Sequence, residues 1–156
     1  MRKLLVLAAA VSALALLLAG AAMAQRGRGG PGRGGGGWGL GSQFNRVYNP
    51  KTVETVSGEV LSVDKVTSGR GMSYGIHLKL KTAKETIPVH LGPGWYVEEQ
   101  SVEIEPKDKV SVMGSRVTFE GKPAIIAGEV KKGDSVLTLR DENGFPLWAG
   151  RGRRQQ

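Results

Sequence analysis

Two histidines, His77 and His90, carry the most chemistry in this cysteine-free chain of 156 residues. Imidazole binds transition metals and exchanges protons near neutral pH, so their relative placement decides whether they act together. Ile76, Leu78 and Leu80 alternate with His77, Lys79 and Lys81, and Ile87, Val89 and Leu91 alternate with Pro88 and His90. Two half-buried strands with a turn at Thr82-Ala83-Lys84-Glu85 form a hairpin. A two- or four-residue turn centred on Ala83 and Lys84 keeps both apolar rows on one face and sets His77 opposite His90. Their Cβ atoms would then stand ~4.5 to 5.5 Å apart, near enough for the rings to share a metal ion or a proton. Met72, Glu98 or a carboxylate in a tail could supply a third ligand. Such a site suits copper, iron or zinc, bound weakly and with open positions. The other reading is two solvated side chains on a polar face, beside lysines whose charge weakens metal binding.

Lys79 and Lys81 share that face and are candidate contacts for a small ligand or an envelope protein. Trp95 and Tyr96 follow the stop Gly92-Pro93-Gly94; they either plug one barrel end or form a stacking surface beside the histidines. Phe145 and Trp148 are expected to cover the opposite opening, and the turn Arg140-Asp141-Glu142-Asn143-Gly144 to hold a structural ion pair. Enzyme chemistry finds no support: there is no GxSxG, HExxH or GxxxxGK motif, and no His stands beside an evident nucleophile and acid. Without cysteine there is no disulfide framework, thiolate metal site or haem attachment motif.

The elements that must hold the histidines are short strands. Val53 to Val66 begins the period-two pattern, and the opposite parity of Val60 and Val63, with Gly58 interrupting the run, predicts a bulged, bent strand. After the hairpin, Trp95 to Gln100 has room for one or two helical turns. Val110 and Val112 are followed by Val117 and Phe119 with a change of parity near Gly114, which predicts a second bulge. Ala124-Ile125-Ile126-Ala127 is apolar on both faces, as a central or closing strand requires. Ser135 to Arg140 adds a further strand. Three strands, a short helix and two more strands is the order of the OB fold, a Greek-key barrel. The expectation is therefore an all-β, OB-like barrel of five to six strands with one short helix between strands 3 and 4; an SH3-like barrel or a six-stranded sandwich is the alternative.

The formal charge of +8 belongs to the ends. Arg26, Arg28, Arg33 and Arg46 precede the strand-rich body, Arg151, Arg153 and Arg154 follow it, and residues 51–150 are close to neutral. A barrel that tracks phosphates normally carries its cationic groove on the body, so any polyanion would be held by the tails, with anionic lipid, lipopolysaccharide or extracellular DNA as partners. Residues 1–24 read as a signal peptide: Met1-Arg2-Lys3, an apolar run from Leu4 to Leu18, and Ala22-Met23-Ala24 before cleavage. The run is short for a membrane span. The mature chain is expected in the periplasm or outside the cell. Residues 25–50 are mostly glycine and arginine at first and read as a disordered tether with Trp38 as a sticky point; 51–150 form the barrel and 151–156 a basic tail.

The run KDKVSVMGSRVTFEGKPAIIAGEV, Lys107 to Val130, resembles the last two strands of exported bacterial OB-fold proteins. More narrowly, VHLGPGWYVE, Val89 to Glu98, and LTLRDENGFPLWAG, Leu137 to Gly150, resemble the domain shared by the magnetosome proteins MamS and MamX. The resemblance spans Pro50 to Gly150. It implies a non-catalytic exported module linked, in bacteria that form magnetosomes, to iron mineral growth and redox control. This chain departs from MamX in lacking CxxCH, and with it the basis for electron transfer through haem.

Overall fold

The computed structural model describes residues 37–67, 69 and 71–149. The segment 1–24 expected to be a signal peptide, Arg26, Arg28 and Arg33, and the tail with Arg151, Arg153 and Arg154 lie outside them. Six strands follow in order: β1 (Val53–Val66), β2 (Gly75–Thr82), β3 (Thr86–Pro93), β4 (Lys109–Phe119), β5 (Lys122–Lys132) and β6 (Ser135–Thr138). Two short helices accompany them, α1 (Gln43–Val47) ahead of β1 and α2 (Gly94–Val97) between β3 and β4. Strands β3-β2-β1-β4-β5 are antiparallel neighbours, and a parallel pairing of β3 with β5 closes the five-stranded barrel. β6 extends β5 beyond the closure. This is the OB-like Greek-key barrel that the strand order predicts.

Two bulges let the strands bend around the barrel. In β1 the register slips between Val60 and Ser62, so Leu61 is the extra residue and is left exposed. That insertion, rather than Gly58, accounts for the opposite parity of Val60 and Val63. Gly58 has its own use, because a Cβ there would stand 2.2 Å from the Lys81 carbonyl oxygen of the neighbouring strand. The second slip lies between Met113 and Gly114, where Gly128 of β5 is the unpaired residue.

Closure also explains the doubly apolar stretch of β5. Successive strand residues face opposite sides. Ile125 pairs with Val89 on the interior face, while Ile126 pairs with His90 on the outer face, and both isoleucines are fully buried. Something must therefore cover the outside of the barrel here.

The cover is the segment expected to be part of the tether. Residues 37–49 are ordered, with Trp38 and Phe44 each only 1% exposed. Ser42 caps α1 by accepting from the Asn45 amide, and the Asn45 amide group donates to the Gly39 carbonyl at 2.8 Å. The indole of Trp38 donates to the Ser73 carbonyl, and the indole of Trp148 donates to the Trp38 carbonyl, each at 2.9 Å. Glycine-rich composition signals a large ordering cost, but two aromatic rings burying ~150 to 250 Å² each can offset it once a docking face exists. The disordered reading of 25–50 is corrected for residues 37–49.

A second correction concerns the barrel ends. Tyr96 and Trp148 meet at 5.4 Å between ring centroids, so they close the same region rather than opposite openings, and Phe145 is exposed. Trp148 reaches β3 because Gly92 leaves room: a Cβ there would stand 2.7 Å from the indole. Among the described residues no helix is long and apolar enough to cross a membrane.

Candidate functional site

The β2–β3 register pairs His77 with His90, Leu78 with Val89, Lys79 with Pro88 and Leu80 with Ile87, as the turn-centred argument requires. His90 Nδ1 lies 3.0 Å from His77 Nε2, and one ring donates to the other according to tautomer. The rings meet edge to face, 82° between planes and 4.1 Å between centroids. Among the described residues the remaining ring nitrogens make no hydrogen bond to protein.

Their surroundings differ from the polar, solvated face expected. His90 is 7% exposed. Phe44 of α1 lies 5.1 Å from it and Phe119, the last residue of β4, lies 5.4 Å from it, centroid to centroid. Trp38, Phe44 and Phe119 form a continuous stack, with spacings of 5.0 and 5.3 Å. Withdrawal from water disfavours the imidazolium form. Burial lowers the His77 pKa to about 4 against an opposing pull from Asp64. It lowers that of His90 to about 3, reinforced by the charges of His77 and Arg140. Both rings are neutral at neutral pH, the form in which imidazole ligates metals.

The pair opens into a cleft of about 930 Å³ between α1, the residues Thr67, Gly69 and Met72, and the β4–β5 turn. Ser42, Arg46, Met72, Pro88, Phe119 and Lys122 line it with the histidines. Glu120 and Gly121 make the tight β4–β5 turn with positive φ at both positions, which sets Phe119 at the cleft edge.

Beneath the cover lies Arg140, 4% exposed and expected from sequence in an ion pair. It has no carboxylate partner among the described residues. Its Nη1 donates to the Ala127 carbonyl at 2.6 Å and its Nη2 to Asn45 Oδ1 at 3.1 Å, while Nε has no partner. The guanidinium packs over the Tyr48 and Trp148 rings at 5.4 and 4.9 Å. Desolvation lowers its pKa to about 10, leaving it charged at neutral pH.

The other site residues from the sequence are distributed as follows. Met72 joins the histidines in the cleft. Glu98 does not: it accepts from the Tyr74 hydroxyl at 2.6 Å and pairs with Lys65 at 2.8 Å, elsewhere on the barrel. Lys79 and Lys81 are exposed on the outer face of β2, outside the cleft lining. Tyr96 is core, with its hydroxyl toward the Thr138 carbonyl, so the stacking-surface reading fails for it; Trp95 is half-buried against Tyr96. Arg46, in the last turn of α1, is exposed at the cleft wall rather than on a free tether. Phe44 and Phe119 are the residues that sequence reasoning missed. Their signal was faint: an aromatic inside a five-residue helix and another at a strand end.

Fold and site together define a class: a closed OB-like barrel with a neutral imidazole pair on its outer wall, roofed by an N-terminal strap. The chain belongs to the MamS/MamX magnetosome protein family, whose model matches residues 52–137, more than half of the sequence. A comparison with curated proteins found no match. The family match takes in Met72, His77, His90 and Phe119; the strap and its anchors Arg140 and Trp148 fall outside it.

Proposed function

We propose that this chain is an exported, non-catalytic binding module that holds a transition-metal ion at His77 and His90, within the metal and redox handling of the cell envelope that its family name suggests. The observation that carries the reading is the pair itself: two neutral imidazoles opposed across a hairpin, 3.0 Å apart, at a cleft. At a metal–nitrogen bond of about 2.0 to 2.1 Å, tetrahedral ligands stand about 3.3 to 3.4 Å apart. Admitting an ion therefore needs a turn of one ring and a few tenths of an ångström of separation. The aromatic roof favours weakly hydrated occupants and keeps the rings deprotonated. The exposed wall of the cleft and the lysine row of β2 offer a contact surface for a partner protein of the envelope.

Metal titration of the mature chain tests this, with the paired substitution His77→Ala and His90→Ala as control. Saturable binding of one equivalent that the paired substitution abolishes supports the reading; titration curves that the substitution leaves unaltered overturn it. The concentration of positive charge at the chain ends supports a second reading, a polyanion binder in which the barrel only presents the tails. Removing residues 25–36 and 151–156 separates the two: salt-sensitive capture of heparin that disappears with the ends belongs to the tails, and metal binding that survives belongs to the cleft.

A further inference from the structure

The barrel has a seam that its own strands leave open. β1 lies between β2 and β4 only as far as Glu59, whose partner Lys109 begins β4. Val60 then accepts from the Lys107 amide at 2.7 Å and donates to the Asp108 carbonyl at 2.8 Å, in the turn ahead of β4. Beyond it, Ser62 to Val66 pair with β2 alone, and among the described residues no other backbone bonds to theirs. Such an edge offers N–H and C=O groups to any incoming strand. Five residues of it span ~16 Å.

The missing neighbour leaves a cavity of about 420 Å³ between this half of β1 and the segment 100–104. Val63, Ile76 and Leu91 of the first three strands line it, with Val97 of α2 and with Val102 and Ile104 opposite. Ile76, Leu91, Val97 and Val102 are themselves buried, so the cavity reaches the core. With four residues, α2 is too short to cover it. The far wall is tied back to β5: Lys132 donates to the Glu103 carbonyl at 2.8 Å and pairs with Asp108 at 2.7 Å.

The mouth is acidic. Glu98 and Glu103 line it with Lys65. Glu98 is engaged by the Lys65 ammonium and the Tyr74 hydroxyl, whereas the exposed Glu103 carboxylate makes no ion pair among the described residues. Residues 98–108 hold Glu98, Glu99, Glu103, Glu105 and Asp108 against Lys107. Even with Lys65 and Lys132 counted, acid exceeds base by five to three. Complementary charge at an interface rim selects its partner, so a strand entering here is favoured when it carries basic residues.

From the open edge, the cavity beside it and the acidic mouth, we propose that this seam receives an extended segment of another protein by strand addition. The segment's backbone pairs with Ser62 to Val66, an aliphatic or aromatic side chain enters the cavity, and a flanking lysine or arginine meets Glu103. In this mode main-chain hydrogen bonds supply affinity and side-chain pockets supply specificity. A hydrocarbon tail would fill the cavity and leave the edge unpaired, which is why a peptide is the better occupant. The proposal is independent of any metal at His77 and His90.

The test displays random segments of about ten residues, twice the length of the edge, against the immobilised mature chain, and the enriched peptides are synthesised. They should alternate apolar residues with lysine or arginine. Hydrogen exchange of the complex should show new protection among the amides of 61–66 and none among those of 37–49. Successive backbone nitrogens of a strand face opposite edges, so methylating one alternate set in the peptide should weaken binding by about tenfold or more, while the other set is tolerated. Glu103→Lys, at an exposed position, should weaken it by about threefold, with thermal melting of the free variant as the check on folding. Strand addition is overturned if no segment is enriched over a blank surface, if the new protection falls outside 61–66, or if both methylated peptides bind as well as the parent. Unchanged binding to Glu103→Lys overturns the basic partner.

Discussion

The inside of the barrel and its covered outer wall are both dry, but they are built from different chemistry. The interior is aliphatic: Val60, Leu78, Leu80, Val89, Val112 and Ile125 are all essentially inaccessible to solvent. The outer wall across β2, β3 and β5 covers a buried histidine, His90, the half-buried His77, a buried arginine and a stack of aromatic rings instead. Aliphatic side chains stabilise a core without directional demands. Polar groups under a roof each need a partner or carry a desolvation cost. A protein that places two histidines and an arginine without a carboxylate partner among the described residues under cover keeps a site there at some expense of stability. The difference teaches that the barrel is the support and the strap-covered wall the specialised part.

Breaking the interior should have the largest effect. Ile125→Ala removes a buried side chain at the β3–β5 closure, and the expected loss is about 2 to 5 kcal/mol, read by urea unfolding. Because the closure holds β3, the metal site should be lost with the fold.

Phe44→Ala attacks the roof and should cost less, about 1 to 3 kcal/mol, since the strap can undock while the barrel stays closed. Hydrogen exchange checks this: the amides of 38–48 should lose protection while those of β4 and β5 keep it. Equal loss across both regions would show that roof and barrel form one cooperative unit.

Acid should sharpen the contrast. In the unfolded chain the histidines take up protons near pH 6.5, whereas in the folded protein they resist until about pH 4 and 3. Stability is therefore full above about pH 6.5 and falls as pH drops through about 4 and on to about 3, by several kcal/mol at most. Phe44→Ala lets water reach the rings, raises their pKa and flattens that slope. Urea unfolding from about pH 7.5 to about pH 4.5 gives the comparison, and identical slopes in the two proteins would remove the roof as the cause of the histidines' neutrality.

The smallest effect belongs to the bulge residue. Leu61→Ser changes an exposed side chain that takes part in neither packing layer, and stability should move by no more than about 0.5 kcal/mol.

Legibility in the sequence followed the range of the interaction. The alternation of Ile76, Leu78 and Leu80 against Ile87, Val89 and Leu91 dictates which residues face one another, because a one-residue slip would expose every apolar side chain. The opposition of His77 and His90, the parity changes marking the two bulges and the closing role of Ala124 to Ala127 were readable for that reason. Trp38 and Phe44 were not readable. Their flanks are glycine-rich and carry no period, and what orders them is the Ser73 carbonyl, the Trp148 indole and Arg140, whose separation from them in sequence reaches 110 residues.

The amino-acid sequence by itself determined the barrel order, the hairpin register and the separation of a near-neutral body from basic ends, since each follows from local period or composition. Only the tertiary structure decided that the histidine pair lies under a roof, neutral and beside a buried guanidinium. Dielectric surroundings are set by which distant segments dock on a face, and no local pattern records that.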